Sequence, residues 1–314
     1  MREATSTAGG GSDRDVRLAM YAPEDGGVND HCIVRADDGW HYFFIYRVYE
    51  KWDGVSTTAG RTIGHAFSQD LFTWRTCPVA LDVRPGTWES RFVWAPHVVR
   101  RDPYWYMVYA GVDDQQIQRL GIVRSSDLYR WERLMDTCAL DGARFAWFDQ
   151  HAPIYDCRDP YLVGREHEFI LYYTARVGND EPCIAAARSS DMIHWDDLGP
   201  VIRMFYPNAD KPGWEPLESC CVFARQGLWY LVYQLSGICY HISQDPLNWH
   251  DTPAHTFSTN MWLFRWADFE QNLHVYKTQC FFGVLRFGLV RWDGKYMLPD
   301  HSRPQGASND LEVG

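Results

Sequence analysis

Three acids stand at comparable places along the chain: Asp30 in Asn29-Asp30-His31, Asp159 in Cys157-Arg158-Asp159-Pro160 and Glu218 in Pro216-Leu217-Glu218-Ser219. From each acid to the aromatic strand that follows is 12, 10 and 10 residues, so three distant stretches set a carboxyl at nearly the same point of one pattern. Carboxyls brought face to face raise each other's proton affinity, which lets one keep its proton near neutral pH while another stays ionised. An ionised and a protonated acid together are what cleavage of a glycosidic bond requires. Glu215 competes with Glu218 for the third place. Asp102, in Arg101-Asp102-Pro103, imitates the setting of Asp159 but falls in a hairpin turn and is set aside.

The elements that would position these acids come from a repeat. The pattern S-x-D-x-x-x-W occurs four times, at Ser68-Asp70-Trp74, Ser125-Asp127-Trp131, Ser189-Asp191-Trp195 and Ser243-Asp245-Trp249, with its Asp residues 57, 64 and 54 apart. Upstream of each match lies a short aromatic strand: 42–46, 104–109, 169–173 and 228–233. These runs are rich in Tyr, Phe and Val and lack helical spacing. A turn precedes each aromatic strand, and another apolar strand precedes each turn. The unit is therefore a four-stranded antiparallel meander of about 55 residues, the size of a propeller blade. Residues after Phe257 supply a fifth, divergent unit, expected as strands at 261–266, 273–277, 281–286 and 289–292 with a turn at Asp293-Gly294. A strand at 16–21 would join this last unit and close the ring. The expected fold is all-β: one five-bladed β-propeller of four-stranded antiparallel blades over residues 16–299, with tails at 1–15 and 300–314. The S-x-D element itself reads as structural, its Ser and Asp satisfying turn N–H groups and its Trp packing between blades.

Since the first strand of a blade lines the central channel, equivalent starts would bring Asp30, Asp159 and Glu218 to one mouth. Trp94, His97, Arg158 and Trp214 are candidate substrate-binding residues around it.

Composition narrows the alternatives. A net charge of -11 over 314 residues argues against nucleic acid, which needs a surplus of Lys and Arg. No apolar run approaches the roughly 20 residues of a membrane span, and the polar, Gly/Ser-rich start does not read as a signal peptide. Nine cysteines without a C-x-x-C pair read as reduced core residues, so a cytoplasmic location and no zinc site are expected. The aromatic excess, 15 Trp, 18 Tyr and 16 Phe, suits both an all-β core and stacking on sugar rings.

An Asp near the N-terminus, Trp94-Ala95-Pro96 in the second unit, Arg158-Asp159-Pro160-Tyr161 in the third and Glu218 before an apolar strand in the fourth resemble glycoside hydrolase family 43. Families 32 and 68, which act on fructans, share the layout. The resemblance spans about residues 20 to 295. It implies that Asp30 is a general base activating water, Glu218 the general acid, and Asp159 an ionised residue that orients the acid and raises its pKa. In the family 32 version Asp30 is instead the nucleophile. Val28-Asn29-Asp30-His31 departs from that family's W-M-N-D-P-N-G, and Ser219 departs from its E-C pair, which favours family 43 and an inverting hydrolase of arabinofuranosides or xylosides. Asn29-Asp30 leans toward a retaining fructosidase. The implied partner is an oligosaccharide or glycoside; no cofactor is required, and the resemblance admits a structural calcium in the channel near His274. Two other classes compete: a propeller that binds sugar without cleaving it, and a protein-interaction propeller of the WD-repeat kind, whose G-H and W-D signatures are missing here.

Overall fold

The structure is a computed structural model that describes residues 18–48, 60–71, 73–148, 156–177, 181–204, 217–235, 237–258, 265–268, 273–277 and 285–300. The chain opens with β1 (Leu18–Tyr21) and then forms four consecutive antiparallel meanders. The first holds β2 (Gly26–Ala36), β3 (Gly39–Val48), β4 (Thr62–Ser68) and β5 (Arg75–Asp82). The second holds β6 (Phe92–Arg101), β7 (Tyr104–Val112), β8 (Gln118–Ser125) and β9 (Glu132–Arg133). The third holds β10 (Arg158–Gly164), β11 (Phe169–Arg176), β12 (Pro182–Ser189) and β13 (Asp196–Arg203), and the fourth β14 (Glu218–Arg225), β15 (Leu228–Gln234), β16 (Ile238–Ser243) and β17 (His255–Ser258). A last sheet is made of β18 (Arg265–Asp268), β19 (Leu273–Lys277), β20 (Leu285–Asp293) and β21 (Tyr296–Asp300), joined by β1.

The first strands of the five sheets touch in a cycle: β2 with β6, β6 with β10, β10 with β14, β14 with β18, and β18 back to β2. That cycle is the ring of a propeller, and it leaves both faces of most blades covered by neighbours. β1 closes it. Leu18 pairs with Phe287 and Tyr21 with Leu285, so the start of the chain completes the last sheet as expected. The expected strand boundaries there need one correction. Residues 285–286 and 289–292, expected in separate strands, lie in a single strand, β20, whose two halves pair with β1 and with β21 along the same edge, while 281–284 and 261–264 lie outside the described residues. The outer place of the fifth blade is thus shared by strands from opposite ends of the chain. The two tails lie outside the described residues.

The S-x-D turns sit where β4, β8 and β12 end. In the first, Ser68 Oγ accepts from the N–H groups of Asp70 and Leu71, Asp70 Oδ1 accepts from Thr73 N, and the Trp74 indole donates to Leu71 O. The second and third repeat this around Ser125 and Ser189. The residue after the Asp takes a positive φ each time, at Leu71, Leu128 and Met192. In the fourth repeat that residue is Pro246, whose ring holds φ near -65° and forbids the positive φ, although Ser243 Oγ still accepts from Asp245 N and Asp245 Oδ1 from Leu247 N. Trp249 there is instead fully buried, and Tyr172 of the third blade donates to Pro246 O at 2.5 Å. Trp131 packs edge-on against Phe43 of the preceding blade, and Trp74 packs against Tyr21 of β1. The repeated tryptophans therefore bind blade to blade.

Buried polar groups add specificity between blades. Glu89 is wholly buried yet accepts from Arg84 Nε at 2.5 Å, Arg133 Nε at 2.6 Å and the Tyr109 hydroxyl at 2.6 Å. Removing one partner of such a set costs about 3–5 kcal/mol. The eight cysteines among the described residues are thiols, and no described helix is long and apolar enough to cross a membrane.

Between the first two blades, His41 Nδ1 lies 2.9 Å from His65 Nε2, and both rings pack on Tyr129. Burial, reinforced by His41 and Arg75, pushes the His65 imidazole down to about 3. This histidine is neutral in the fold but takes a proton in the unfolded chain once the pH drops below its ordinary 6.5. Its contribution is therefore complete above that pH and is lost as the pH falls toward about 3. Replacing His65 with Phe should flatten the acid limb: between about pH 7 and pH 4 the variant should lose less folding free energy than the parent, by on the order of 2 kcal/mol. Urea unfolding at a series of pH values measures this, and parallel curves would refute it.

Candidate active site

All four first strands of the complete meanders carry a β-bulge near their start. Val28 pairs with Tyr46 but His31 with Phe44; Trp94 pairs with Ala110 but His97 with Val108. Arg158 pairs with Thr174 but Tyr161 with Tyr172, and Glu218 pairs with Gln234 but Cys221 with Val232. Each bulge inserts one residue, twists the strand and re-aims its side chains. The first inserted position has positive φ in three blades, at Ala95 (49°), Asp159 (51°) and Ser219 (58°). Left-handed backbone at a non-glycine residue costs roughly 1–2 kcal/mol and persists where surrounding contacts impose it.

This register corrects one expectation. The three acids are not at equivalent positions but at three successive ones. Glu218 is the last paired residue before its bulge, Asp159 the first bulge residue of its strand, and Asp30 the second of its own. A one-residue step along an extended chain turns the side chain to the other face, so the three carboxyls do not leave their strands in one common orientation.

The structure brings Asp159 and Glu218 together on Arg158, with Asp30 near enough to act on Glu218. The Arg158 guanidinium donates from Nη2 to Glu218 Oε2 at 3.1 Å, and its Nε is 3.8 Å from Asp159 Oδ2. Asp159 is 3 % exposed, and its Oδ2 also accepts from Ser219 N at 3.1 Å and Thr174 Oγ1 at 3.5 Å. The bulge of the third blade is thereby tied to the bulge of the fourth. Burial raises the proton affinity of Glu218; Arg158 opposes it, and Asp30 and then Asp156 push it further up. The carboxylates acting most on Glu218 are thus Asp30 and Asp156, whereas the family resemblance implied Asp159 for that part.

Asp156 is a residue sequence reasoning passed over. It is buried, forms an ion pair with Arg158 Nη1 and accepts from Arg176 Nε at 2.9 Å. One signal was available: Asp156 and Arg158 are two apart in extended chain, hence on one face.

The remaining candidates fall in several places. Trp94 shares the register position of Arg158 and Glu218, stacks on Phe92 at 5.0 Å and rests its indole on Gly60. A side chain at Gly60, where φ is 86°, would lie 2.6 Å from the Trp94 Nε1, so that seat exists only for glycine. His97 is buried, stacks on Tyr161 at 3.6 Å and accepts from Leu162 N through Nδ1, contacts that join the second blade to the third. Trp214 and the rival acid Glu215 lie outside the described residues. His274 is on β19, the second strand of its sheet and not the channel-lining first one. Among the described residues no cluster of His, Cys, Asp and Glu could hold a metal ion, so the channel calcium has no described donor set.

The model for the glycosyl hydrolases family 32 N-terminal domain matches residues 21–206, more than half of the chain. The chain belongs to that family. It is a glycoside hydrolase built on the propeller that families 43 and 32 share, with the matching family model on the family 32 side. No curated protein sequence matches it. Among solved structures it is similar to a thermostable family 43 glycoside hydrolase, at 14% identity and TM-score 0.67, covering 94% of this chain and 100% of that one. It is similar also to a family 32 β-fructofuranosidase from Bombyx mori, at 15% identity and TM-score 0.69, covering 91% of this chain and 65% of that one. A family 43 enzyme from Xanthomonas citri aligns at 13% identity and TM-score 0.66 over 91% and 94% of the two chains. These likenesses speak to the fold.

The raised proton affinity of Glu218 has a stability consequence. A carboxyl that binds its proton more tightly in the fold than in the unfolded chain weakens the fold as pH rises above its ordinary 4.5. Glu218→Gln, which keeps an acceptor for Arg158 and removes the charge, should raise Tm at neutral pH by on the order of 2 °C, with no gain at about pH 4. Calorimetry at the two pH values tests it; an equal or lower Tm at neutral pH would contradict the assignment.

Proposed function

We propose that this glycoside hydrolase cleaves a furanoside with Glu218 as general acid and Asp30 as the opposing carboxylate. One observation carries the reading: Glu218 is half-buried at the start of β14, bound by Arg158 and raised in proton affinity with Asp30 among the causes. A carboxyl with raised proton affinity is suited to give its proton to the leaving oxygen, and a general acid so placed contributes about 10²–10⁴ in rate. Asp159, buried and fixed by hydrogen bonds from Ser219 N and Thr174, is a candidate to face the charge that develops on the sugar. Trp94 is a candidate wall for the apolar face of the ring.

The substrate class favoured is a β-fructofuranoside, with Asp30 as nucleophile and retention of configuration. The family 32 model across residues 21–206 and the Asn29-Asp30 pair support it. A second reading is inverting hydrolysis of an arabinofuranoside or xyloside, with Asp30 activating water. It is supported by Ser219, where family 32 has Cys after the acid, and by the reduced Asn29-Asp30-His31 motif.

Both readings expect Asp30→Asn and Glu218→Gln each to lower kcat by about a thousandfold or more with the fold intact. Proton NMR of the first-formed anomer separates them, since retention returns the anomer of the substrate and inversion the other. Near-normal activity in both variants on the best substrate of a nitrophenyl furanoside and pyranoside panel would overturn the assignment.

A further inference from the structure

We propose that Asp156 is a positioning residue: clamped between Arg158 and Arg176, it holds the Arg158 guanidinium on Glu218 and offsets its charge. The inference rests on the reading of Glu218 as general acid.

The geometry is a ladder across two strands. Arg176, near the end of β11, donates from Nε to Asp156 Oδ2 at 2.9 Å; Asp156 Oδ1 pairs with Arg158 Nη1; Arg158 Nη2 reaches Glu218 Oε2 at 3.1 Å. Arg176 and Asp156 are both buried, and an unpaired charge there would cost several kcal/mol, so each link fixes the next. The blade does not demand an acid at this point. Two residues before the bulge-flanking position stands Asp156 in the third unit, but Gly26 in the first and Phe92 in the second. The acid occurs where the neighbour is Arg158 and the next blade presents Glu218.

The charges explain what Asp156 adds. Arg158 is flanked by Asp156, Asp159 and Glu218. With its full charge directed at Glu218, the guanidinium would hold that carboxyl ionised and deprive it of the proton it is to donate. Asp156 takes up part of that charge at the opposite edge of the fork and leaves the hydrogen bond in place. The groups facing Glu218 are Arg158 and Asp159 of β10, Asp156 just before it, and Asp30 of β2; β18, the strand carrying Arg265 and Asp268, packs on β14.

The test uses the full chain with Asp156→Asn, the double variant Asp156→Asn/Arg176→Gln that removes the adjacent cation too, and Asp156→Glu as conservative rescue. Glu218 is followed by carboxyl 13C NMR as the resonance lost in Glu218→Gln. In both Asn variants it should titrate lower than in the parent by about half a unit or more. On a furanoside with a poor leaving group kcat should fall about tenfold with KM little changed, while a dinitrophenyl furanoside, which needs no proton, should lose less than about threefold. Asp156→Glu should recover part of the loss. An unmoved Glu218 titration, equal losses on both leaving groups, or failure of both Asn variants to fold would each overturn the positioning role. If the parent hydrolyses no glycoside, the proposed function fails by itself, and the NMR titration still decides whether Asp156 governs Glu218.

Discussion

The site depends on how few cations serve its buried acids. Asp156, Asp159 and Glu218 all reach Arg158, and Arg176 is the only further cation the described contacts bring to Asp156. Three carboxyls thus share two guanidinium groups, and Asp30 acts on Glu218 as a fourth acid. Taking that many charges out of water is costly, and the least costly relief is a proton on one of them. Glu218 is the acid whose proton affinity the fold raises. Asp156 is held by two arginines, and Asp159 is bonded to a backbone N–H and a hydroxyl as well as to Arg158. Glu218 has a single arginine contact and sits more open than either. A charge deficit in the fold thus favours a proton on the acid with the fewest partners.

The bulge converts a structural repeat into that cleft. Every first strand must turn inward where the blades converge, and the inserted residue makes the turn while aiming successive side chains in different directions. The left-handed Asp159 and Ser219 are strained, and the hydrogen bond from Ser219 N to Asp159 offsets part of the strain by joining adjacent blades. The opposite ends of the blades carry the S-x-D turns, whose tryptophans lock neighbouring sheets. Regularity at that end steadies the ring, and departures from it at the bulged end bring the proposed site together.

Much of the fold was legible because the repeat carries its own register. Four S-x-D turns, aromatic second strands and a leftover unit led to five sheets and to a first strand that closes the last, and the ring contacts agree. The fifth sheet was read less well, because its long β20 accepts two different strands on one edge and no S-x-D turn marks its breaks. The acids were legible as a set but not in their stagger. Counting residues to the next aromatic strand cannot locate an inserted residue, since a bulge is defined by the pairing partner and not by the strand's own sequence. Arg176 was hidden for the same reason. It lies 20 residues from Asp156 in the chain and meets it only once Arg158 is paired with Thr174.

The register position before the bulge shows how a near-symmetric ring acquires a polarity. It holds Val28 and Trp94 in the first two blades, Arg158 and Glu218 in the third and fourth. Of these four positions two neighbouring ones are apolar and two are ionic. A sugar ring has the same division, with C–H groups on its faces and hydroxyls and the reacting oxygen at its edge. In a symmetric circuit of acids the charge repulsion would have no relief but protonation of several of them, and none would stay ionised opposite a proton donor. Breaking the symmetry with one arginine and one tryptophan keeps the acids few and distinct, so that neighbouring carboxyls in one cleft can hold opposite protonation states.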